Sequence, residues 1–280
     1  MFLIYNINIL IYMLIGSHNS GTYKFNFDIS FWNNDSKWEL LRKTAKLLPC
    51  IRNKIISISK CQNLTILEQL YLGINFLDFR ISQSNDIFYI SHTFCCMPLI
   101  DVLEQIKIYL DEMYSDIDII IHPILLLIQP DFSNIHTLIN KEELLLNYIK
   151  TYFGSYLNES KLIIYYKPIN ININVYPEFH NMNMINSIWY NIDNVSDFIK
   201  KFNETEFKKY DGLYCILTPL IDEYKWYKLF SIKIKNYAIQ LNPIIISLIK
   251  DRITQKKSIP SFLLFDYIDK NLIQDFKKLN

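Results

Sequence analysis

Glycine is scarce in this chain, with five among 280 residues. Nowhere does it combine with proline and serine into a linker, and no internal repeat is visible. One domain over residues 1–280 is therefore the economical organisation. Excess charge is missing too. The net charge is +1, from 29 basic against 28 acidic residues, without the clustered positive charge that a nucleic-acid surface needs. The five cysteines, Cys50, Cys61, Cys95, Cys96 and Cys215, include no C-x-x-C pair. An odd count in a chain of this length points to reduced thiols and away from a disulfide frame. No Cys/His spacing fits a zinc pattern, so neither a metal nor another cofactor is expected. Long apolar runs are also lacking beyond the N-terminus, so no segment there is expected to span a bilayer. Residues 1–15 imitate the apolar centre of a signal peptide, but they lack a basic start and Asn6 and Asn8 interrupt them. A buried strand over 7–15 is the expectation, with a signal as the competing reading.

What is present is ample material for a core, since 50% of the residues are hydrophobic. Ile, Asn, Lys and Tyr are heavily used, while arginine occurs four times (Arg42, Arg52, Arg80, Arg252). Apolar spacing predicts helices over 36–48, ended by Pro49, and over 67–72, capped by Asn63 or Thr65 and stopped by Gly73. Further helices are expected over 99–113 and 141–153, the latter ending at Gly154, and over 195–202, 237–251 and 270–279. Pro243 marks a fresh helical start within 237–251. Strands are expected over 74–81, 88–91, 161–166, 213–217 and 262–267, with a long apolar run at 117–128 broken by His122-Pro123. The Asn-rich stretch 168–184 reads as loop. Strands alternating with helices indicate a parallel sheet, either a barrel or doubly wound.

Gly16 and Gly21 bracket His18 in G-S-H-N-S-G, directly after the first apolar run. Glycine allows unusual backbone angles or close approach of a ligand, so His18 is a candidate catalytic group. Asp78 and Arg80 lie two apart on a predicted strand and share a face, where buried charge must be paired or functional. An Asp78–Arg80 ion pair is the structural alternative. His92 and Asp266 also fall at the ends of predicted strands, and in a barrel such ends gather at one mouth. Two histidines and an arginine suit phosphoryl transfer, which needs a base, an acid and a cation for the phosphate charge. His122, His136 and His180 read as surface or structural groups. Trp189-Tyr190 and Trp226-Tyr227 read as packing, with stacking on a sugar ring or membrane insertion as the alternative.

Several stretches together resemble the X-domain family of phosphatidylinositol-specific phospholipases C, in its small, calcium-independent, bacterial-type form. They are G-S-H-N-S-G-T-Y (16–23), Q-N-L-T-I-L-E-Q-L-Y-L-G-I-N-F-L-D-F-R (62–80), F-Y-I-S-H (88–92) and D-V-L-E-Q-I-K-I-Y-L (101–110). W-Y-N-I-D (189–193), L-T-P (217–219), N-P (242–243) and F-L-L-F-D-Y-I (262–268) follow in the family's order. The resemblance implies an α/β fold, a single distorted (β/α)8 TIM-type barrel. It implies cleavage of phosphatidylinositol-type lipids to diacylglycerol and a cyclic inositol phosphate, itself open to hydrolysis to the linear form. In these terms His18 is the general base, His92 the general acid and Arg80 the phosphate ligand. Asp266 orients His18, and Asp78 supports the charged cluster. Asn19 and Lys167 are the implied substrate contacts. His18 and His92 are expected across a phosphate-sized gap, with Asn19 beside His92 where the bacterial pattern has Asp. Arg80 stands where calcium-dependent relatives use a carboxylate, so no metal is implied. The implied partner is a membrane phospholipid met transiently from the cytoplasm, with secretion as the other possibility, and with neither nucleic acid nor a protein partner. The competing function is a catalytically inactive barrel that holds phosphoinositide headgroups.

Overall fold

The computed structural model describes residues 13–29, 36–92, 94–114, 123–132, 138–159, 161–218 and 233–279. Strand β1 is short, Leu14–Ser17, yet it pairs in parallel on both sides, with β2 (Phe76–Ser84) and β10 (Phe262–Phe265). A parallel strand covered on both faces has no solvent side. Of the expected 7–15 strand, Leu14 and Ile15 belong to β1 and Met13 directly precedes it. The sheet continues outward from β2 to β5 (Ile124–Pro130), β6 (Leu162–Tyr166) and β7 (Phe179–Asn181). From β10 it continues to β9 (Asp211–Cys215) and β8 (Asn186–Ile188). These eight strands are parallel throughout and curl into the expected distorted barrel. A hairpin-like extension, β3 (Ile87–His92) and β4 (Phe94–Pro98), runs antiparallel off the upper half of β2.

The strand period of two separates two cores. Leu77, Phe79 and Ile81 of β2 point outward and pack with Leu103, Ile106, Ile149 and Ile245 of the surrounding helices. Phe76 points inward, with Leu125, Leu127, Tyr214, Phe262 and Leu264. Each such side chain, fully buried, contributes roughly 1.5–3 kcal/mol. Gly16 belongs to the inner set. A Cβ there would lie 2.6 Å from the Phe76 carbonyl oxygen and 2.8 Å from Leu264. At Gly21 it would lie 2.8 Å from the Ile90 side chain. Both glycines that bracket His18 thus make room for neighbouring strands.

β7 and β8 end the sheet and do not pair among the described residues. A single 3-10 turn, Met182–Met184, links them, and Met182 and Ile185 fill the interior beside it. This segment and the 3-10 turn Ile173–Val175 replace the expected loop over 168–184. The asparagines there are caps: Asn172 Oδ1 accepts from the backbone N–H of Asn174, and Asn181 Oδ1 from that of Asn183.

Helix α1 (Ser36–Leu47) forms as expected. Pro49 does more than end it, because it opens α2 (Pro49–Ser59) from the first turn, where an absent N–H costs no intrahelical bond. Thr65 caps α3 (Ile66–Leu72) in a capping box with Glu68, and Gly73 closes it. Pro98 starts α4 (Leu99–Met113). α5 (Leu138–Asn158) runs through Gly154, the expected stop. α6 (Val195–Glu204) precedes β9, and α7 (Ile234–Thr254) carries Pro243 within one continuous helix. α8 (Lys270–Lys277) is capped by Asp269. No helix among the described residues is long and apolar enough to cross a membrane. His122, His136, Trp226 and Tyr227, and most of the 1–15 segment, lie outside the described residues.

Candidate active site

Inward positions two apart climb each strand from apolar to polar. β1 gives Gly16 and then His18 just past its end, and β2 gives Phe76, Asp78 and Arg80. β5 gives Leu125, Leu127 and Gln129, and β10 gives Phe262, Leu264 and then Asp266. The registers bring these levels side by side, with Gly16 opposite Leu264 and Arg80 opposite Gln129. The apolar floor and the polar mouth at the strands' C-terminal ends therefore follow from one parity.

His18 is buried, 5% exposed, and its Nδ1 lies 2.8 Å from Oδ1 of Asp266. A carboxylate only accepts, so Nδ1 carries the proton and Nε2 keeps its lone pair. The amide nitrogen of Asn19 donates to that lone pair at 2.9 Å. Asn19 thus meets His18, and the group at His92 is a different one. Asn19 sits in the left-handed region, φ 45°, which asparagine tolerates better than most residues. Asp78 is fully buried, and its Oδ2 lies 4.0 Å from Nε2 of His18. Its carboxylate accepts from Gln129 Nε2 at 2.9 Å and from the Asn19 backbone N–H at 3.4 Å. Ser20 N–H donates to the Asp78 carbonyl at 2.8 Å, and Asp78 N–H to Ser20 Oγ at 2.9 Å, fastening the His18 turn to β2.

His92 ends β3, and its Nδ1–H donates to the carbonyl of Ser59 at 2.7 Å. Its ring centroid lies 6.2 Å from that of His18, with the planes 77° apart. This is an edge-to-face contact. It places both histidines in one site, with their rings edge to face where a phosphate-sized gap was expected. Burial pushes the His92 pKa down to about 3, helped by the charge of Arg80 and then by His18, while the Ser59 carbonyl acts the other way. Arg80 is partly buried, and no ion pair joins it to Asp78 among the described residues. Its Nε is buried without a hydrogen-bond partner. Asp131, just past β5, feels both Arg80 and Lys167, which lower its carboxyl pKa against the stronger upward push of burial. Lys167 is exposed on this rim and follows β6.

Sequence reasoning missed several members of the site. Tyr214 puts its ring 5.4 Å from His18 at 88° and accepts a long 3.4 Å bond from Gln129. Burial, with the nearby Asp78 carboxylate, pushes its hydroxyl pKa up. Trp189, read from the sequence as packing with ring stacking or membrane insertion as the alternative, is 48% exposed, lies 6.4 Å from Tyr214 and donates to Thr218 at 2.8 Å. Tyr190 instead packs on Phe198. His180 rests against Tyr165 on the outlying β7. The α2–α3 link forms a platform beneath the histidines. Gln62 Nε2 donates to the carbonyls of His18 at 2.9 Å and Phe265 at 2.8 Å, while its Oε1 accepts from Ile268 N–H at 3.2 Å. Gln69 donates to the Ser20 carbonyl at 2.9 Å. Both glutamines stood in the Q-N-L-T-I-L-E-Q stretch, where a buried amide beside a helix cap was the available signal.

No family model matches the chain, and no curated protein matches it by sequence. Solved structures do match. The phosphatidylinositol-specific phospholipase C of Listeria monocytogenes superposes with a TM-score of 0.57 at 17% identity, over 96% of this chain and 92% of that one. A phosphatidylinositol-specific phospholipase C of Staphylococcus aureus gives 0.58 at 14% identity, over 97% and 93%. A second structure of that enzyme gives 0.57 at 15%, over 94% and 91%. The chain has the barrel fold of these bacterial enzymes.

Proposed function

We propose that the chain is a phosphodiesterase of the phospholipase C type that cleaves phosphatidylinositol-like lipids. The observation that carries this is the polar mouth itself: His18 backed by Asp266, His92 in edge contact with it, and Arg80 with a buried, unpartnered N–H. His18 Nε2 takes the proton of the inositol 2-hydroxyl, and that oxygen forms a new bond to phosphorus. The bond from phosphorus to the diacylglycerol oxygen breaks, and protonated His92 supplies the proton that this oxygen needs. The organic products are diacylglycerol and a cyclic inositol phosphate. Asn19 holds the place of the incoming hydroxyl at Nε2 until substrate displaces it. Arg80 meets the phosphate oxygens, and a guanidinium in that place opposes a divalent cation, so the reaction is proposed to need no calcium. His92 must be charged to act. An anionic phosphate beside Arg80 offsets the repulsion that helps to keep it neutral, so substrate raises its proton affinity. Lys167 on the rim suits an inositol oxygen or phosphate, and Asp78 steadies the charged cluster. The setting is a membrane surface on the cytoplasmic side.

The experiment is purified protein on labelled phosphatidylinositol vesicles, with products resolved for cyclic and linear inositol phosphate. Product formation lost in His18→Ala and His92→Ala supports the proposal. The low proton affinity of His92 favours a second reading, an inactive barrel that holds phosphoinositide headgroups. Vesicle binding that depends on Arg80, without either product at any pH, would select it.

A further inference from the structure

Cys61 has no part in the proposed reaction, yet its thiol lies among the reacting groups. Its backbone is tied from two sides: its N–H donates to Thr22 Oγ1 at 3.0 Å, and its carbonyl accepts from Tyr267 N–H at 2.6 Å. The side chain is 1% exposed, and its sulfur lies 3.7 Å from the Asn19 amide nitrogen and 3.8 Å from His92 Nδ1. One ring nitrogen of His18, the Cys61 sulfur and a carboxylate oxygen of Asp266 all fall within 4.8 Å of one another, and all three residues are buried. Burial, and then the nearby Asp266, push the thiol pKa well up.

We propose that His18, Cys61 and Asp266 form a binding site for zinc-class cations, and that occupancy switches the barrel off. Imidazole, thiolate and carboxylate are the three zinc donors, with bond lengths near 2.0–2.3 Å, so closing this triangle asks for side-chain shifts of roughly 1 Å. Calcium and magnesium prefer shells of oxygen and are discriminated against. On binding, the thiol proton leaves to solvent and a metal–sulfur bond forms. Neutral imidazole has one lone pair. If the metal takes Nε2, the lone pair that would accept the hydroxyl proton is gone. If it takes Nδ1, the ring proton moves to Nε2, with the same result. In the second case the Asn19 amide turns over and offers Oδ1, which is buried and has no partner. The loss of activity rests on the proposed role of His18 as base; the binding does not.

Cadmium titration of the protein, in excess calcium, reads the site directly through thiolate-to-metal charge-transfer absorption. Chelator competition gives the zinc stoichiometry. One ion per chain is expected, with affinity lowered at least about 100-fold in Cys61→Ser and Cys61→Ala, since even outer partners of a metal site are worth 10–100-fold. Thermal melts of both variants show whether they fold, and Cys50→Ser, which changes an exposed thiol, retains binding. A wild-type protein without a cadmium–thiolate band, or with a band that persists in both Cys61 variants, overturns the site. On phosphatidylinositol vesicles, zinc should stop wild-type turnover and leave Cys61→Ser at its own zinc-free rate. Zinc bound through Cys61 with turnover unchanged would overturn the switch and the assignment of His18 as base. Binding through Cys61 in a protein without any hydrolysis would leave the site standing and remove the proposed reaction.

Discussion

Asp266 holds His18 by Nδ1 at 2.8 Å, leaving Nε2 directed to the barrel interior beside Asp78. The carboxylate thereby selects one tautomer of the ring. Asp266→Asn removes that selection, because an amide can donate to Nδ1 and drive the ring proton to Nε2. Turnover on phosphatidylinositol vesicles should fall by on the order of 10⁴-fold, the scale seen when a base loses such a partner. A fall under tenfold in a variant with unchanged circular dichroism would show that Asp266 does not set the tautomer.

His92 gives a stability signature that is independent of substrate. Its folded pKa, about 3, lies below the ordinary 6.5. Below pH 6.5 the unfolded chain binds a proton that the folded chain refuses, so the stability held by neutral His92 is complete above 6.5. It drains as the pH falls toward about 3. Urea midpoints followed from neutral pH downward should drop more steeply in the wild type than in His92→Asn. Equal slopes would mean that His92 is not held neutral.

The same shift separates two kinetic profiles. kcat/KM reports the free protein and kcat the bound complex. If bound phosphate returns a proton to His92, the alkaline limb of kcat lies at higher pH than that of kcat/KM. Coincident limbs would place the proton on His92 before substrate arrives, against the burial described.

Arg80 has no ion-pair partner among the described residues and a buried N–H without an acceptor. Arg80→Lys should therefore leave the melting temperature nearly unchanged while turnover falls about a hundredfold, the cost of losing one donor to a developing charge. Vesicle binding should weaken less than turnover, and activity should survive EGTA. Activity abolished by EGTA and restored by calcium would overturn this role for the guanidinium.

Packing around the two glycines predicts an order of stability. A Cβ at residue 16 meets a backbone carbonyl at 2.6 Å, whereas at residue 21 it meets the Ile90 side chain at 2.8 Å. A carbonyl within a ladder cannot rotate aside, and a side chain can. Gly16→Ala should cost about 1–3 kcal/mol, and Gly21→Ala less, by urea unfolding. The reverse order would mean that β1 moves more readily than Ile90.

The fold and the polar mouth were legible because both depend on short-range period. Strand alternation put Asp78 beside Arg80 on one face, and helical spacing with caps located α1, α3 and α4. Much of what holds the mouth together was not legible, since it comes from segments distant in sequence. Pro49 looked like a terminator and is a start, and the helix it starts carries Ser59 and Cys61 to the histidines. Tyr214 and Gln129 sit in apolar strands, where their polar tips gain meaning only through neighbours across the barrel. Zinc patterns in sequence are local spacings, whereas Cys61 reaches His18 and Asp266 only through the fold. Asn19 was expected beside His92 and bonds to His18, because its left-handed backbone turns the amide back onto its own neighbour.

Among the described residues no ladder joins β7 to β8, so the barrel is a split ring at that boundary. A ring closed by ladders has one circumference, and widening it breaks backbone hydrogen bonds. Here the clasp is a covalent turn with Met182 and Ile185 wedged inside it, and apolar side chains slide at little cost compared with a ladder. Widening the rim along this line would break no described strand pair. In the opposite wall, Asp78 lies on β2 and His18 and Asp266 directly follow β1 and β10, and β1 pairs with both of its neighbours, so ladders set the spacing of these three groups. The width of the mouth and the spacing of His18, Asp78 and Asp266 thus depend on different parts of the same sheet.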